Sequence, residues 1–354
     1  MTNIRAVVYG VGAMNSVITR YLLDKDVEIV GAISRSPDKV GKDLGEVTGL
    51  DRRLGVSISD DPHEVFTRTS PDIAVVAITS YLVDAAEHFR IALSHGVNVI
   101  TLSEEALYPW NTAPELTAEL DALAKEHGVT ITGGGFQDSF WVNAVAQLMG
   151  TAHRIDSVTG TSSWNVDEYG PELAELQQVG ATIEEFDAWC REAVRPPTFG
   201  RIALDALVAG AGLTPKQILT RTEPELAHET LHCAALGIDV PPGKCIGFTD
   251  IDEIRTEEGP VFVFRMSGRL YGPDDSDVNE WTIHGEPDLV MSNGTPPTMA
   301  TTCTQLVNRI PDVLDADPGF VTVVDLPRLR YRHGRLHDHL SRWSSDRYIV
   351  REEL

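Results

Sequence analysis

The chain has 354 residues, of which 42% are hydrophobic, and a formal net charge of −24 at pH 7. A chain of this length can bury a full hydrophobic core and can form two domains of ordinary size. Its negative charge repels nucleic-acid phosphates and anionic lipid surfaces, so we expect neither nucleic acid nor a membrane as a partner.

The first element is a short apolar strand that ends in a glycine turn and leads into a helix. In the segment R-A-V-V-Y-G-V-G-A-M-N, Asn15 stands where G-x-G-x-x-G has its third glycine. Gly10 permits the tight turn, and Gly12 lets the backbone approach a pyrophosphate at the helix start. The third glycine serves packing of the helix on the strand, so its absence weakens the motif without removing its chemistry. The turn predicts dinucleotide contacts at Gly10, Gly12, Ala13 and Met14.

Strands and helices then alternate, as in an α/β fold with a Rossmann-type doubly wound parallel sheet. Apolar runs predict further strands at 27–33, 56–58, 73–78, 97–102 and 129–132. Helices are predicted from Pro62 through Phe66, over 83–94 and from Pro114 to His127. In such a sheet the ligand crevice lies outside the carboxyl ends of the strands. We therefore expect the residues that follow these strands to converge: Thr79, Ser80, Ser103, Glu104 and the glycines 133–135.

The end of the second strand indicates which dinucleotide is used. NAD-selective folds place an acid there to accept from the adenosine ribose, whereas an arginine suits a 2′-phosphate. This strand continues into Ser34, Arg35 and Ser36, and no acid follows until Asp38. Ser34 and Arg35 therefore predict a preference for NADP over NAD, although use of both is compatible with the pattern and Arg35 can also be an ordinary exposed loop residue.

After residue 140 the regular alternation ends. We expect a helix around 141–148, a strand over 155–165, helical structure over 171–193, β-rich segments over 226–283, and a returning helix over 299–310. This pattern predicts a dinucleotide-binding domain at 1–138, an α+β substrate and dimerisation domain at 139–298, and a C-terminal segment at 299–354 that returns to the first domain. Pairing through the second domain predicts a homodimer.

Two stretches carry the candidate chemistry, N-V-I-T-L-S-E-E-A-L at 98–107 and G-G-G-F-Q-D-S-F-W at 133–141. A carboxylate after strand five would lie near a bound nicotinamide, where it could hold an ammonium or take its proton. Glu104 could instead cap the next helix. Phe136 and Trp141 could wall a pocket or simply pack in a core. Glu105 is a competing acid, because neighbouring side chains of an extended segment face opposite ways.

Several segments resemble the 2,4-diaminopentanoate dehydrogenases and the related native amine dehydrogenases, whose first domain is similar to dihydrodipicolinate reductase. They are G-V-G-A-M at 10–14, G-V-N-V-I-T-L-S-E-E-A-L-Y-P-W at 96–110, G-G-G-F-Q-D-S-F-W at 133–141, S-W-N-V-D-E-Y-G at 163–170 and T-T-C-T-Q-L-V-N-R-I-P at 301–311. The resemblance implies NAD(P)-dependent oxidative deamination of an amine, and the reverse reductive amination of a ketone or aldehyde with ammonia.

The resemblance also implies roles for individual residues. Glu104, which stands 37 positions before Trp141, becomes the catalytic acid/base. Thr302 and Asn308 are expected near the nicotinamide. The substrate pocket is expected to be lined by Phe136, Trp141, Trp164, Tyr169 and Thr302.

Other readings remain open. A sugar-type oxidoreductase would normally show E-K-P after strand five, but Glu105 and Ala106 replace its lysine and proline. A dihydrodipicolinate reductase-like enzyme and a dinucleotide sensor without turnover are further alternatives. A substrate with a distant carboxylate would need a partner such as Arg191, Arg195 or Arg201.

Two apparent metal motifs are interpreted as chance. His228 to His232 spell H-E-x-x-H, but the stretch resembles a strand and turn rather than a helix. The C-terminal histidines 333, 337 and 339, which are mixed with arginines 330, 332 and 335, are expected to be exposed tail residues. No metal site is therefore predicted. Four cysteines without a C-x-x-C pair, and no secretory signal pattern, predict free thiols and a cytoplasmic location.

Overall fold

The computed structural model describes residues 3–192 and 195–341, which form two compact units. The first unit contains the described residues up to Ser139 and from Pro297 onward. The second unit runs from Phe140 to Pro296.

The first unit alternates strands and helices along the chain. Its elements before the second unit are β1 Arg5–Tyr9, α1 Ala13–Asp24, β2 Glu28–Ile33, α2 Leu44–Val47, β3 Ile58–Ser59, α3 Pro62–Thr69, β4 Ile73–Val76, α4 Leu82–Ser94, β5 Asn98–Thr101, α5 Pro114–His127 and β6 Thr130–Gly133. Two short 3-10 helices, Glu104–Leu107 and Pro109–Asn111, follow β5, and a π-helix at Gln137–Asn143 follows β6.

The second unit begins with a short helix and is then rich in strands. Its elements are α6 Ala144–Met149, β7 Arg154–Asn165, α7 Pro171–Leu176, α8 Ile183–Glu192, α9 Phe199–Gly210, β8 Pro215–Leu226, β9 Leu231–Cys233, β10 Ile238–Val240, β11 Cys245–Thr256, β12 Val261–Arg269, β13 Val278–Glu286 and β14 Leu289–Ser292, with a 3-10 turn at Val166–Glu168. The chain then returns to the first unit with α10 Thr298–Asp315, β15 Gly319–Phe320 and a 3-10 turn at Leu336–His339.

The sheet of the first unit has seven parallel strands in the order β15-β6-β5-β4-β1-β2-β3. The order reverses between β1 and β4, so the predicted doubly wound α/β fold is confirmed. The strands lie where the apolar runs predict, with shifted ends. The seventh strand, β15, comes from the C-terminal segment and was not predicted.

Helices cover both faces of this sheet. On one face, α1 and α10 pack over residues such as Val8, and Ile18 and Ile310 are completely buried. On the other face, α3, α4 and α5 cover Val7, and Phe66 and Phe89 are buried there. Burial on both faces explains the uniformly apolar strands.

The second unit is built on a six-stranded sheet in the order β14-β13-β7-β12-β11-β8. Only the β7–β12 pair is parallel. The predicted α+β class of this region is confirmed, but the helical stretch 171–193 is wrong as one helix. The chain breaks it between α7 and α8, where Gln178 and Gly180 adopt φ values of 59° and 88°. Ala193 lies outside the described residues.

Three expectations about isolated motifs can be compared with the structure. The H-E-x-x-H letters end in strand β9 rather than lying on a helix. Of the C-terminal histidines that were expected to be exposed, His333 is exposed, whereas His337 and His339 are half-buried. Among the arginines mixed with them, Arg332 is buried and donates from Nη2 to Asp312 at 2.5 Å. All four cysteines are free. Within residues 3–192 and 195–341, no helix combines the length and the apolar character needed to span a bilayer.

Candidate active site

The glycine turn after β1 has the geometry of a phosphate cradle. Gly10 has φ +89° and its N–H donates to the Ile33 carbonyl at 2.9 Å, which ties the turn to the end of β2. A Cβ at Gly10 would lie 2.3 Å from the Ala77 oxygen, so this position requires glycine. Among the described residues, no heavy atom lies within 4 Å of the place that a Cβ would take at Gly12. The turn therefore leaves open space directly in front of α1.

Asn15, which stands where the motif has its third glycine, fixes the start of α1 by hydrogen bonds. The side chain is fully buried, and Nδ2 donates to the carbonyls of Tyr9 at 3.0 Å and Gly10 at 2.7 Å. It also reaches the Val75 carbonyl on β4 at 3.3 Å. Asn15 thus holds the start of α1 against two strands by hydrogen bonds, where a glycine would allow close packing.

The residues of this unit fit a dinucleotide. The N-cap of α1 is Gly12, which has no side chain to cap the helix, so the first amide groups can serve an anion. In α10, the Oδ1 atom of Asn308 is buried and has no hydrogen-bond partner within the described chain. A buried acceptor of this kind normally has a donor, and a carboxamide group of a ligand could supply one. The roles of Ala13, Met14 and Asn308 as cofactor contacts remain predictions.

The loops after β4 and β5 are joined at the carboxyl edge of the sheet. The Ser103 hydroxyl donates to the Thr79 carbonyl at 2.6 Å, and the Glu105 N–H donates to the Ser80 carbonyl at 3.1 Å. The Ser80 hydroxyl also hydrogen-bonds the Glu104 carboxylate. The structure therefore brings together the four polar residues expected to converge here.

The two neighbouring glutamates have different surroundings. The segment is not extended but forms the 3-10 helix Glu104–Leu107, so strand alternation does not separate the two side chains. Glu105 is buried and accepts the Leu82 N–H at 2.7 Å, which makes Glu105 the cap of α4. Glu104 is partly buried, and its carboxyl group accepts hydrogen bonds from the Ser80 hydroxyl and from its own backbone N–H.

Burial raises the pKa of Glu104 above its ordinary value, and the hydrogen bond from Ser80 opposes that shift only in part. A raised pKa brings the carboxyl group closer to the pH at which it can both give and take a proton efficiently. The site therefore contains one carboxyl group fitted for acid/base chemistry beside a structural one.

Gly133 allows β6 to approach the turn that carries Glu104. A Cβ at Gly133 would lie 2.4 Å from the carbonyl carbon of Ala106 and 2.6 Å from the Leu107 nitrogen. These are backbone atoms, which cannot move aside as a flexible side chain would. Glycine at this position therefore determines where the 3-10 turn lies.

A buried ion-pair network links the segment 133–141 with helix α10. Arg309 on α10 donates from Nε and Nη2 to the two oxygens of Asp138 at 2.9 and 3.1 Å. Gln305 donates to the same carboxylate, and its Oε1 accepts the Gly135 N–H at 2.5 Å. Asp312 lies on the other side of Arg309, at 3.4 Å. The glycine loop and α10 are thus held together, with Thr302 beside Gly135.

Sequence reasoning missed Asp138, Gln305 and Arg309 as site-forming residues. A signal was present, because Gln305, Arg309 and Asp312 recur at helical spacing among buried residues of α10. Polar residues on the buried face of a helix need partners. The complementary charge, Asp138, could not be identified among the 53 acidic residues without the fold.

The five residues expected to line the substrate pocket are divided between the two units. Phe136 and Thr302 belong to the first unit, and the other three to the second. Trp141 is buried and packs edge-on against Phe264 with ring centroids 4.9 Å apart. Trp164 meets Tyr169 edge-to-face at 5.3 Å, and Tyr169 is 48% exposed. Trp141 therefore packs in the core of the second unit, which was the alternative to a role in a pocket. Tyr169 exposes part of its ring to solvent.

Two arginines considered as partners for a substrate carboxylate are already paired. Arg195 donates to Asp250 and Arg201 donates to Asp205, both at 2.8 Å. Within the described residues, no group of three or more histidine, cysteine, aspartate or glutamate side chains is arranged to hold a metal ion.

Comparisons with families identify both parts of the chain. Residues 142–342 match the family described as the 2,4-diaminopentanoate dehydrogenase C-terminal domain. Residues 4–103 match the family described as dihydrodipicolinate reductase, N-terminus.

Individual relatives agree with these matches. A 2,4-diaminopentanoate dehydrogenase of Acetoanaerobium sticklandii is 27% identical, over 96% of this chain and 98% of the relative. The solved structure of an amine dehydrogenase from Mycobacterium smegmatis is 66% identical with a TM-score of 0.86, and the match covers 94% of this chain and 98% of that one. An oxidoreductase from Agrobacterium radiobacter, solved with NAD+, L-tartaric acid and magnesium, shares the fold at 12% identity and a TM-score of 0.55, over 92% and 93% of the two chains.

Proposed function

The chain belongs to the 2,4-diaminopentanoate dehydrogenase family, and from this premise we propose that it catalyses the NAD(P)-dependent oxidative deamination of an amine. In reverse it would form an amine from a ketone or aldehyde and ammonia. The chain is thus an oxidoreductase that acts on amine groups. The observation that carries the proposal is Glu104, a partly buried carboxyl group of raised pKa at the carboxyl edge of the sheet.

Glu104 acts as the acid/base in this proposal. As a carboxylate it would hold the substrate ammonium and remove its proton, which leaves an amine whose carbon can lose hydride. It would also stabilise the positive charge of the iminium that results. Water then adds to the iminium carbon, and loss of ammonia leaves the ketone or aldehyde. In the reverse direction the same group returns the proton. Ser80 orients the carboxyl group through its hydroxyl.

The first unit would hold the dinucleotide, which supplies or accepts the hydride when bound. The open turn at Gly12 and the uncapped start of α1 suit its phosphates. Thr79, Ser80, Ser103 and Asn308 are the further residues proposed to contact the dinucleotide. Ser34 and Arg35, with no acid at the end of β2, favour NADP over NAD.

Trp164 and Tyr169 of the second unit are proposed as substrate residues because of their aromatic side chains. Trp164 and Tyr169 form an edge-to-face pair, and aromatic faces tolerate a cation while excluding water. Of the three arginines considered for a substrate carboxylate, Arg195 and Arg201 are paired with aspartates and Arg191 is exposed. Trp141, Phe136 and Thr302 complete the proposed substrate residues.

Measuring absorbance of the reduced nicotinamide tests the reaction directly. A panel of simple amines and 2,4-diaminopentanoate is assayed with NAD and NADP, and ketones plus ammonium are assayed with the reduced cofactors. We expect amine-dependent reduction of the cofactor. Cofactor binding without turnover of any amine or carbonyl would instead indicate the sensor alternative.

Paired variants test the role of Glu104. Glu104→Gln should lower kcat by at least about 100-fold, the usual lower contribution of an acid/base, while cofactor affinity stays within about twofold. Glu105→Gln is the matched control, and it should destabilise α4 while the folded fraction keeps most of its activity. More than about a tenth of the wild-type rate in Glu104→Gln would contradict the assignment.

A homodimer and a cytoplasmic location are further parts of the proposal. In β12 and β13, Phe262, Phe264, Trp281 and Ile283 are fully buried on one face, while alternate residues such as Val263 remain half-buried. An incompletely covered sheet face supports pairing of subunits, which sedimentation would measure. Four free cysteines support a reducing compartment.

A further inference from the structure

Alternate residues of β7 and β12 form three rows on one face of the second unit's sheet. Residues that are two apart along a strand point to the same face, and so do residues that are paired in register. Each row joins one residue of β7 to its partner on β12, and the rows are Gly160–Phe264, Ser162–Met266 and Trp164–Gly268. We call this side of the sheet the Trp164 face.

Aromatic rings cover the first and the third of these rows. A Cβ at Gly160 would lie 2.6 Å from the Trp281 ring and 2.8 Å from the Phe264 ring, so both rings rest directly on β7. A Cβ at Gly268 would lie 2.5 Å from the Trp164 ring, which rests on β12 in the same way. The middle row therefore lies between two aromatic groups, in rows about 13 Å apart along β7.

The middle row is less covered than its neighbours and contains a hydroxyl group without a partner. On β12, Phe264 and Gly268 are buried, whereas Met266 between them is half-buried. Ser162 is 6% exposed, and its hydroxyl forms no hydrogen bond with any residue that the structure describes. A buried hydroxyl normally has a partner, so this serine can serve a polar group of a ligand that reaches the row.

The polar residues that continue the middle row on the adjacent strands already have partners. On β11, Asp250 accepts a hydrogen bond from Arg195 at 2.8 Å, which compensates its charge. On β13, Asn279 donates to Asn293 at 2.9 Å and accepts from Trp281 at 3.3 Å. The row therefore offers a ligand one neutral hydroxyl group, which can both donate and accept, and no uncompensated charge.

We infer that Ser162 is a specificity residue, which selects amines that carry a hydroxyl group over purely aliphatic amines. The inference rests on the proposed function, in which Trp164 and Tyr169 contact the substrate. The substrate hydroxyl would form a hydrogen bond with Ser162 while the carbon chain lies between the two aromatic groups. A second ammonium or carboxylate group would lose its water at this row without gaining a charged partner, which costs more than the transfer of a hydroxyl.

Two amines of equal size test the inference, 3-aminobutan-1-ol and pentan-2-amine, which differ only in a terminal hydroxyl against a methyl group. The measurement is kcat/KM for both amines with wild type, Ser162→Ala and Ser157→Ala. Ser162→Ala should lower kcat/KM for the amino alcohol about three- to tenfold, the range of one neutral hydrogen bond, and change that for pentan-2-amine by no more than about twofold. Ser157, a half-buried serine on the opposite face of β7, is the matched control, and its variant should change neither value.

The conservative variant Ser162→Thr retains a hydroxyl and should keep the preference for the amino alcohol. An equal loss for both amines in Ser162→Ala would overturn the inference, because Ser162 would then only support the fold, and an unchanged ratio would overturn it as well. Calorimetry of both amines with the full chain loaded with NADH or NADPH makes the same comparison without turnover. If wild type oxidises no amine but binds the amino alcohol more tightly and loses this preference in Ser162→Ala, the proposed function fails and this inference stands.

Discussion

Replacing Arg309 by methionine should separate a buried ion pair from an exposed one of the same geometry. Arg309 is 1% exposed and forms a two-pronged pair with Asp138, whose burial is equal. Removing one partner of a buried pair leaves an uncompensated charge and costs about 3–5 kcal/mol. Unfolding of a unit of roughly 200 residues has an entropy near 0.4 kcal/mol/K, so Arg309→Met should lower Tm by about 10 °C.

Arg90 provides the control, because its Nε and Nη2 atoms donate to Glu119 at 2.6 and 3.1 Å on the surface. Arg90→Met should cost about 1 kcal/mol or less, since water screens an exposed pair. Thermal and urea unfolding of both variants measures the difference. The double variant Asp138→Asn/Arg309→Met should be more stable than Arg309→Met alone. Equal costs for Arg309→Met and Arg90→Met would refute the reasoning.

Two further predictions concern the turn that carries Glu104 and the core of the second unit. Gly133→Ala should lower the free energy of unfolding by about 1–3 kcal/mol and also lower activity, because its Cβ would lie 2.4 Å from the Ala106 backbone. Gly272→Ala is the control: among the described residues, the nearest atom to its Cβ would be 3.6 Å away, so unfolding and rate assays should show little change. Asp252 is fully buried, and burial raises its pKa from 3.8 to about 6. The folded state therefore holds this proton more tightly than the unfolded chain, so the stability from this group is present below pH about 4 and is lost as the pH rises through 6. The free energy of unfolding of Asp252→Asn should therefore exceed that of wild type by up to about 3 kcal/mol at pH 7 and by almost nothing at pH 4. Urea unfolding at both pH values measures this difference, and a difference that does not change with pH would contradict the prediction.

The pattern of the sequence predicted most of the first unit, because its signals are local. Uniformly apolar runs indicate strands covered on both faces, and the turn at Gly10 and Gly12 indicates a dinucleotide fold from residues that are neighbours in the chain. The carboxyl ends of parallel strands share one edge, so the grouping of Thr79, Ser80 and Glu104 also followed from sequence order.

What the sequence by itself determined was therefore the kind of fold, the edge of the sheet where ligands bind, and a short set of candidate acids. Only the tertiary structure decided which acid serves the backbone, because Glu105 is identified as a cap by the Leu82 N–H, 23 residues away. The partnership of Asp138 with Arg309 spans 171 residues. The local sequence around either member of such a pair does not indicate its partner. Backbone preference and hydrophobic period can be read from neighbouring residues, whereas the partner of a buried polar or charged group depends on how distant elements pack.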